Sequence, residues 1–518
     1  MTRTTRLSVA SFVLAGAVAA SAAAAPPVGE PGLLTPQPSA APHLNGARVF
    51  GARPGRPFLY RIPCTGERPI AFSVGGLPPS IRFDPATGIL SGTTPPSPGV
   101  HQLHLTAKSK LGKSERKLRL VVGDTLALTP PMGWNDWYSF YDRVTDDLLR
   151  KAADILVESG MADFGYQYVN VDDGWMVKPG ASDPALGGEP RDASGAIQPN
   201  RRFPDMKALT DYIHAKGLKA GLYTSPGPLT CAGFAGSYQH EEADASRFVE
   251  WGFDFLKYDW CSYEKVATGE GLQRFQAPYR QMGGSLAQKP RDVVFNLCQY
   301  GMGDVWDWGK AVGGHSWRTT GDLGLEKAAR NLPGFYSVAF ANGRHATNAG
   351  PGGWNDPDYI LIGQVGDAND TSAPPKPTSL TPSEQYSYMS LWSLMAAPLF
   401  YSGDITHLEP FTLNVLCNSE VIDVDQDPLG KQARVVRGPD GPELVMARPL
   451  EDGSLAVGLF ALSDAPQTIT VSWEDLGLTG PQQVRDLWRQ SDLGVYHRRF
   501  EAAVSRHGVA LVRLAPSR

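Results

Sequence analysis

The sequence is poor in cysteine and carries no excess of positive charge. Five cysteines in 518 residues are too few for a fold held together by disulfides, and their odd number leaves at least one unpaired within the chain. Because neither a CxxC nor an HExxH spacing occurs, the sequence indicates no metal site. The 48 basic residues are outnumbered by 53 acidic ones, which argues against nucleic acid as a partner.

Long apolar runs are also absent beyond the N-terminus. Arg3 and Arg6 precede an apolar stretch over residues 7–20 that is too short to span a bilayer, and small residues follow it up to Ala25. This pattern is typical of a signal peptide over residues 1–25. We therefore expect the mature protein to be secreted or periplasmic, with no membrane partner after cleavage. Residues 26–46 are rich in proline and alanine and are predicted to be a linker.

What the sequence does contain is apolar and turn-forming residues. Hydrophobic residues make up 42% of the chain and aromatic residues 10%, enough for several buried cores, which excludes disorder over most of the length. The 56 glycines and 43 prolines favour β-rich modules and long loops over helix bundles.

Short strand patterns separated by turn residues occur at both ends of the chain. In residues 47–124 they predict a β-sandwich, and the stretch 76–93 resembles the immunoglobulin-like (Ig-like) modules of secreted bacterial proteins. This module has no cluster of catalytic residue types, so we expect a spacer, or a unit that docks another protein or a glycan. Residues 431–518 predict a second, antiparallel β-sandwich.

The middle of the chain, residues 125–430, changes to a repeat of helix, glycine and buried strand. Helix patterns begin near Thr145, Asp205 and Glu241, end at Gly160, Gly217 and Gly252, and are followed by the apolar runs 166–171, 218–223 and 253–258. Such a repeat indicates a parallel sheet with crossover helices. Because there is room for eight units, we predict a (β/α)8 TIM barrel, with a doubly wound open sheet as the alternative.

Carboxylates and tryptophans recur where the predicted barrel strands end, which is where such barrels hold their reacting groups. The segments that carry them are 135–137, 172–175, 223, 259–261, 299–300, 317–322 and 354–358. A single residue of this kind more often forms a turn, a helix cap or an ion pair, or is buried in the core. Together they indicate a sugar pocket, since carboxylates bond vicinal hydroxyls and indoles cover the apolar ring face. Asp259 and Asp322, on different segments, could supply the two carboxyl groups of glycoside hydrolysis.

These residues belong to motifs that resemble glycoside hydrolase family 27, the family of α-galactosidases and α-N-acetylgalactosaminidases. The resemblance spans residues 128–518. The motifs are Thr129-Pro130-Pro131-Met132-Gly133-Trp134-Asn135, Val171-Asp172-Asp173-Gly174-Trp175, Lys257-Tyr258-Asp259, Trp317-Arg318 with Asp322, Gly353-Trp354-Asn355-Asp356-Pro357-Asp358, Met395-Ala396-Ala397-Pro398-Leu399 and Asp425-Gln426-Asp427-Pro428-Leu429-Gly430. Their length and order make chance agreement very improbable.

The resemblance implies a retaining mechanism with two catalytic aspartates. Asp259 matches the nucleophile that forms a covalent glycosyl-enzyme, and Asp322 matches the general acid/base. In a retaining enzyme the two carboxyl groups should lie about 5–5.5 Å apart. Lys257 lies on the same face of the strand as Asp259, and we expect it to lower the pKa of the nucleophile and to bond a ring hydroxyl.

The resemblance also implies a set of substrate-binding residues around this pair. Asp172 and Asp173 match the residues that bind the O4 and O6 side of galactose, and Arg318 matches an arginine that contacts O2 beside the acid. Trp137 and Tyr223 match residues that line the sugar ring. Cys231 is the last member of the set. The resemblance implies that it forms a disulfide with Cys261, which would hold the loop after the third strand against the end of the fourth.

Three features depart from the family pattern. Gln299 stands where many members have the glutamate that bonds the sugar's 2-substituent; its amide can still bond a hydroxyl, with altered strength and selectivity. Cys298 lacks its usual partner and is expected to be a free thiol. The segments 179–201 and 363–382 are expected to be enlarged rim loops that narrow the pocket or read the aglycone, with disordered insertions as the alternative.

The sequence thus predicts a secreted, exo-acting, retaining α-galactosidase that uses no cofactor or metal and acts on an α-galactoside oligosaccharide or glycan. A β-L-arabinopyranosidase is the closest alternative, because its sugar differs only in lacking the C6 hydroxymethyl group. An α-N-acetylgalactosaminidase fits less well, since Gln299 leaves no evident space for an acetamido group. A non-catalytic galactoside-binding protein is the remaining alternative, but it would not need both Asp259 and Asp322.

Overall fold

The structure of the protein is a computed structural model that describes residues 29–324 and 331–517. The predicted signal peptide lies outside the described residues. Three units follow one another along the chain: an N-terminal Ig-like module, a parallel barrel and a C-terminal antiparallel β-domain. Among the described residues, every helix is too short or too polar to cross a membrane.

The N-terminal module consists of two main sheets around a core of their own, with a two-stranded sheet beside them. Its strands are β1 (His43–Leu44), β2 (Val49–Ala52), β3 (Pro57–Arg61), β4 (Cys64–Thr65), β5 (Ala71–Gly75), β6 (Ile81–Asp84), β7 (Ile89–Thr93), β8 (Gly99–Ser109) and β9 (Gly112–Val122). One main sheet has the order β2-β9-β8-β5 and the other the order β3-β7-β6, and β1 pairs with β4 in the two-stranded sheet. Leu90, Leu103 and Leu120 are fully buried in the core that they share. The predicted Ig-like β-sandwich is confirmed.

The central unit is the predicted barrel. Its strands, with one intervening hairpin (β17 and β18), are β10 (Met132–Asn135), β11 (Tyr168–Asn170), β12 (Lys219–Thr224), β13 (Phe255–Tyr258), β14 (Val294–Leu297), β15 (Ser316–Arg318), β16 (Trp354–Asp356), β17 (Gln364–Val365), β18 (Lys376–Pro377) and β19 (Leu399–Tyr401). In the described residues the eight barrel strands pair in parallel and in chain order, and Ile360 pairs with Tyr401 to close the ring. The doubly wound alternative is excluded, because its strand order would reverse.

Several helices around the barrel begin at a capping side chain or end beside a glycine. The barrel helices are α1 (Trp137–Phe140), α2 (Asp146–Glu158), α3 (Met206–Ala215), α4 (Glu241–Trp251), α5 (Gly271–Ala287), α6 (Val305–Trp308), α7 (Gly334–Gly343), α8 (Pro382–Leu394), α9 (Pro410–Leu416) and α10 (Ser419–Asp425). The Thr145 hydroxyl accepts the Leu148 N–H at 3.2 Å and caps α2. Gly160 follows that helix with φ +85°, a conformation that glycine adopts without strain.

The C-terminal domain is antiparallel, as predicted. Its elements are β20 (Arg434–Arg437), β21 (Glu443–Pro449), β22 (Leu455–Ala461), β23 (Gln467–Ser472), α11 (Trp473–Leu476), β24 (Gln482–Asp486), β25 (Ser491–Tyr496), β26 (Arg499–Val504) and β27 (Val509–Pro516). One sheet has the order β20-β21-β22-β27-β24-β25, and β23 pairs with β26. Buried Arg448 donates to the Ser393 carbonyl at 2.5 Å and so joins this domain to the end of α8.

The N-terminal module is docked on the end of the barrel opposite the strand ends that carry the candidate site. Arg53 donates from Nε to Asp292 Oδ1 at 2.6 Å and from its terminal nitrogens to two backbone carbonyls, both at 2.6 Å. Asp292 precedes β14 and therefore marks the amino end of that strand. Arg68 likewise holds Asp163, which precedes β11, through two bonds of 2.9 Å.

The segment predicted to be a linker is itself bonded to the barrel over its described residues, 29–46. Thr35 is buried, and its N–H donates to Asn414 Oδ1 at 3.0 Å while its hydroxyl donates to the Asn414 carbonyl at 2.8 Å. The Leu34 N–H donates to the Tyr386 hydroxyl at 3.0 Å. These bonds fix the connection along α8 and α9.

We expect Arg53→Ala to lower the thermal midpoint of unfolding and to leave the catalytic rate at 25 °C unchanged. The side chains of Arg53 and Asp292 are 16% and 18% exposed, and removing one partner of a largely buried ion pair costs about 3 kcal/mol. Scanning fluorimetry and steady-state kinetics measure the two effects. Arg82→Ala, on the exposed face of β6 in the same module, is the control. An unchanged midpoint for Arg53→Ala would show that this contact does not anchor the module.

Candidate active site

The candidate site lies at the rim formed by the carboxyl ends of the barrel strands. Asp172 and Asp173 follow β11, Tyr223 lies near the end of β12, Asp259 follows β13 and Arg318 ends β15. The first three of these strands are neighbours and all of them are parallel, so their ends share one edge. The structure therefore brings these sequence-predicted residues to one place.

The carboxylate of Asp259 is held by three hydrogen-bond donors. The Tyr223 hydroxyl donates to Oδ2 at 2.8 Å, the Tyr300 hydroxyl donates to Oδ1 at 2.7 Å, and the Trp260 N–H donates to Oδ1 at 2.8 Å. Asp259 is 4% exposed. Both of its oxygens consequently have fixed directions within a largely dry environment.

Burial raises the pKa of Asp259 above its ordinary value. The charge of Lys257 and the hydrogen bond from Tyr300 act in the opposite direction, and the charge of Asp322 adds to the increase. Lys257 therefore acts to lower the pKa of Asp259, but its effect is smaller than that of burial.

Asp322 is the more accessible of the two carboxyl groups. Its side chain is 33% exposed and accepts a bond from Arg318 Nη1 at 3.1 Å. Arg318 is buried and also contacts Asp358 through Nη2 at 3.1 Å. Burial opposes the charge of Arg318, but Asp358 and its other anionic neighbours hold the pKa of the guanidinium well above its usual value. Asp322 thus stands beside a permanent cation while remaining open to solvent.

Lys257 is buried and bonds Asp172 rather than Asp259. Its Nζ donates to Asp172 Oδ2 at 2.8 Å, and Asn135 Nδ2 donates to the same oxygen at 2.9 Å. Burial alone would lower the pKa of Lys257, but the carboxylate of Asp172 raises it well above the usual value. Asp172 is therefore fixed in place by a charged partner and an amide.

Asp173 has one satisfied and one unsatisfied oxygen. Oδ2 accepts the Ala232 N–H at 2.8 Å, whereas Oδ1 is buried and has no hydrogen-bond partner among the described residues. Burial raises the pKa of Asp173 to about 7. A buried acceptor without a donor is costly, so a ligand hydroxyl bonded there would stabilise the site.

The Cys231–Cys261 disulfide implied by the family resemblance is confirmed. It fixes the loop after β12 beside Asp259, and the sulfur of Cys231 lies 3.9 Å from the Tyr300 hydroxyl. In the described part of the chain, the two sulfurs and an Asp259 oxygen form the one cluster with metal-ligand spacing. Because the disulfide uses both sulfurs, this cluster does not make a metal site. Cys298 is buried and unpaired, as expected.

Gln299 and Trp137 complete the set of sequence-predicted residues. Gln299 donates from Nε2 to the Met302 carbonyl at 2.6 Å, and its buried Oε1 has no partner in the described chain. Trp137 is partly buried and packs edge-on against Tyr141, with ring centroids 5.2 Å apart. Its ring therefore forms part of an aromatic wall next to β10.

Some residues that shape the site were not identified by sequence reasoning. The sequence assigns no role to Asn135 and Asp358, which lie in the family motifs, to Tyr300 in the rim segment 299–300, or to Tyr359. The Tyr359 hydroxyl donates weakly to Asp172 Oδ2 at 3.4 Å, and its ring lies 5.1 Å from the Lys257 ammonium. Its position directly after the motif that ends at Asp358 was the available signal.

Both predicted rim loops are bonded to the barrel. In the first, Arg191 binds Asp244 of α4 through two bonds of 2.6 and 2.9 Å. The second contains the β17–β18 hairpin, and its Gly366 N–H donates to the Tyr138 carbonyl at 2.7 Å. A cavity of about 410 Å³ lies between this hairpin, Tyr138 and Leu323. Leu323 directly follows Asp322 in the chain.

Three family models match the chain. The model described as alpha galactosidase A matches residues 129–427, and the model of the alpha galactosidase C-terminal beta sandwich domain matches residues 440–514. An Ig-domain model matches residues 41–123. Together these models follow the three units seen in the structure.

Similar proteins and structures point to the same family. The α-galactosidase of Oryza sativa subsp. japonica is 37% identical over 421 residues, which cover 80% of this chain and 92% of that protein. A Bacteroides fragilis structure assigned as an α-galactosidase/melibiase has a TM-score of 0.84 and 33% identity, covering 93% of this chain and 99% of that one. α-Galactosidase I of Mortierella vinacea has a TM-score of 0.67 and 28% identity, covering 76% and 98%. The chain therefore belongs to the α-galactosidase family of glycoside hydrolases, family 27.

Proposed function

We propose that the protein is an exo-acting α-galactosidase that retains anomeric configuration through a covalent intermediate on Asp259. The observation that carries this proposal is the unequal pair of carboxyl groups on one rim. Asp259 is buried and oriented on both oxygens, whereas Asp322 is accessible and bonded to Arg318. A retaining glycosidase needs this combination of a fixed nucleophile and an acid that reaches the leaving group.

In the first step, one oxygen of Asp259 attacks the anomeric carbon of a terminal α-galactosyl residue. The bond to the leaving oxygen breaks, and its electron pair goes to that oxygen, which takes the proton of Asp322. Arg318, bonded to Asp322 at 3.1 Å, stabilises the carboxylate that remains.

In the second step, water attacks the anomeric carbon from the side of Asp322. The Asp322 carboxylate accepts the proton of the water, and the electron pair of the bond to Asp259 returns to the Asp259 carboxyl group. Two displacements at the same carbon give a product with the anomeric configuration of the substrate.

Galactose recognition is proposed to rest on the buried acceptors of this rim. Asp173 Oδ1 lacks a donor in the described chain and would accept a sugar hydroxyl, while Asp172 is oriented for the neighbouring hydroxyl by Lys257. Gln299 Oε1 also lacks a donor there and would accept the C2 hydroxyl. Because arabinopyranose lacks the C6 hydroxymethyl group, the presence of both aspartates favours galactose. Trp137 would cover the apolar ring face.

We also propose the location and organisation that the sequence indicates. Residues 1–25 would direct export, so the enzyme would act outside the cytoplasm on an oligosaccharide or glycan that ends in α-galactose. The proposed units are the linker 26–46, the Ig-like module 47–124, the catalytic barrel 125–430 and the C-terminal domain 431–518. The docking of the module by Arg53 supports a stabilising role for it, with its outer surface open to a protein or glycan partner.

The test of the proposed activity compares three nitrophenyl substrates: the α-galactoside, the β-L-arabinopyranoside and the α-N-acetylgalactosaminide. We expect the galactoside to have the highest kcat/KM by at least about tenfold, because a site built to bond a hydroxyl rejects a sugar that lacks it. NMR of the early reaction should show α-galactose first. A first-formed β-anomer would contradict the retaining mechanism. A higher kcat/KM for the arabinopyranoside would contradict the assignment of galactose as the sugar of the substrate.

We expect Asp259→Asn to lower kcat by at least about a thousandfold and to leave the thermal midpoint unchanged, because the amide preserves shape but cannot act as the nucleophile. Asp211→Asn, on the exposed face of α3, is the matched control and should keep full activity. Substantial hydrolysis by Asp259→Asn would remove this residue from its proposed role.

We expect Asp322→Asn to discriminate between leaving groups. Hydrolysis of an α-galactosyl disaccharide should fall by about 10²- to 10⁴-fold, because its sugar leaving group needs protonation. Formation of the glycosyl-enzyme from nitrophenyl α-galactoside should fall far less, since nitrophenolate departs without a proton. Single-turnover rates on both substrates provide the measurement. Equal losses would argue against Asp322 as the acid.

A further inference from the structure

Tyr300 occupies a strained backbone position directly beside the proposed nucleophile. Its φ is +63°, in the left-handed region that residues with a Cβ atom rarely adopt, and Gly301 continues the turn with φ +83°. This turn at the end of β14 brings the Tyr300 hydroxyl to 2.7 Å from Asp259 Oδ1. A strained backbone conformation of this kind persists only where the contacts of the surrounding residues allow no other conformation.

The ring of Tyr300 is also positioned by groups other than Asp259. The guanidinium of Arg318 lies 5.8 Å from the ring centroid, and the sulfur of Cys231 lies 3.9 Å from the hydroxyl. Arg318 is fixed by its ion pair with Asp358, and Cys231 by its disulfide. The hydroxyl of Tyr300 is therefore held in one direction by neighbours that do not depend on the charge of the nucleophile.

The two oxygens of Asp259 are bonded unequally. Oδ1 accepts the Tyr300 hydroxyl and the Trp260 N–H, whereas Oδ2 accepts the Tyr223 hydroxyl. An oxygen that forms a bond to carbon gives up lone-pair density to that bond and so loses hydrogen-bonding capacity. Attack through Oδ2 weakens one bond from a hydroxyl, which can rotate away. Attack through Oδ1 would weaken two, one of them from a backbone N–H that cannot rotate.

Building on the proposed double displacement, we propose that Oδ2 of Asp259 attacks the sugar and that Tyr300 keeps its hydrogen bond to Oδ1, where it assists the departure of Asp259 from the glycosyl-enzyme. In that intermediate Oδ1 is the carbonyl oxygen of an ester. When water attacks the anomeric carbon, Asp322 takes the proton of the water. The electron pair of the bond between carbon and Oδ2 returns to the carboxyl group, and Tyr300 and the Trp260 N–H stabilise the charge that develops on Oδ1.

The second step should therefore depend on Tyr300 more than the first, because charge leaves the carboxylate during attack and returns to it during hydrolysis. With nitrophenyl α-galactoside, Tyr300→Phe should lower kcat by about ten- to a hundredfold. KM should fall with it, so that kcat/KM changes less than about threefold. A burst of nitrophenol and an enzyme mass increased by one hexosyl residue should reveal the accumulated intermediate. A loss of kcat/KM as large as that of kcat, without a burst, would overturn the proposal.

A pH profile separates this role from a structural one. The hydrogen bond from Tyr300 lowers the pKa of Asp259, so its removal should move the acid limb of kcat/KM to higher pH. A substitution that only loosened the fold would lower the rate at all pH values without moving that limb. An acid limb at the wild-type position in a folded Tyr300→Phe variant would overturn the proposal.

Tyr223→Phe is the matched comparison, because it removes the other hydroxyl from the same carboxylate. Its bond to Oδ2 is weakened on attack in any case, so this variant should not accumulate the glycosyl-enzyme. Equal accumulation in both variants would overturn the assignment of Oδ2. Normal turnover by Asp259→Asn would overturn the proposed mechanism and this proposal with it. An inactive Asp259→Asn combined with no accumulation in Tyr300→Phe would overturn this proposal alone.

Discussion

A buried balance of charge holds the candidate site in shape. Lys257 and Arg318 are both buried, where an unpaired cation is costly, and each is paired with a carboxylate. These partners are Asp172 and Asp358, neither of which is the proposed nucleophile. Asp259 is therefore not locked in an ion pair. It is bonded by neutral donors on both oxygens, in the field of a nearby cation, so neither oxygen is committed to an ion pair.

The N-terminal module is attached at the end of the barrel away from this rim. The N-terminal module reaches the barrel at the amino ends of the strands through Arg53 and Arg68. The C-terminal domain contacts both ends of α8, through the buried Arg448 at one end and a bond of 2.8 Å between His507 and Glu384 at the other. Both attachments are ion pairs or bonds to backbone carbonyls, which need a fixed geometry. The N-terminal module therefore leaves the carboxyl ends of the strands to the rim loops and to the residues that would contact a sugar.

Much of the architecture could be predicted from the sequence because it follows from local rules. Thr145 and Gly160 mark the ends of α2 through a cap and a positive φ, and repeated apolar runs after such helices imply parallel strands whose ends meet. The partner of Lys257 could not be predicted in this way. Side chains along the barrel strands alternate between the interior and the exterior of the barrel. Asp259, two residues after Lys257, and Asp172, after another strand, were therefore both within reach of the Lys257 ammonium. Only packing decides which of them it bonds.

The position of the Tyr300 hydroxyl was likewise beyond sequence reasoning, because a tyrosine gives no signal that its φ will be positive. In the structure, the turn that carries Tyr300 is bonded to the side chain of Gln299, the residue that departs from the family pattern. Gln299 donates from Nε2 to the Met302 carbonyl at 2.6 Å, and the Met302 N–H donates back to the Gln299 carbonyl at 3.2 Å. These bonds close the turn that carries Tyr300. A glutamate side chain at position 299 would have no N–H group to donate, and its ionised carboxylate would repel the Met302 carbonyl. The amide therefore supports the strained turn, and the two adjacent residues act as one unit that directs a hydroxyl at Asp259.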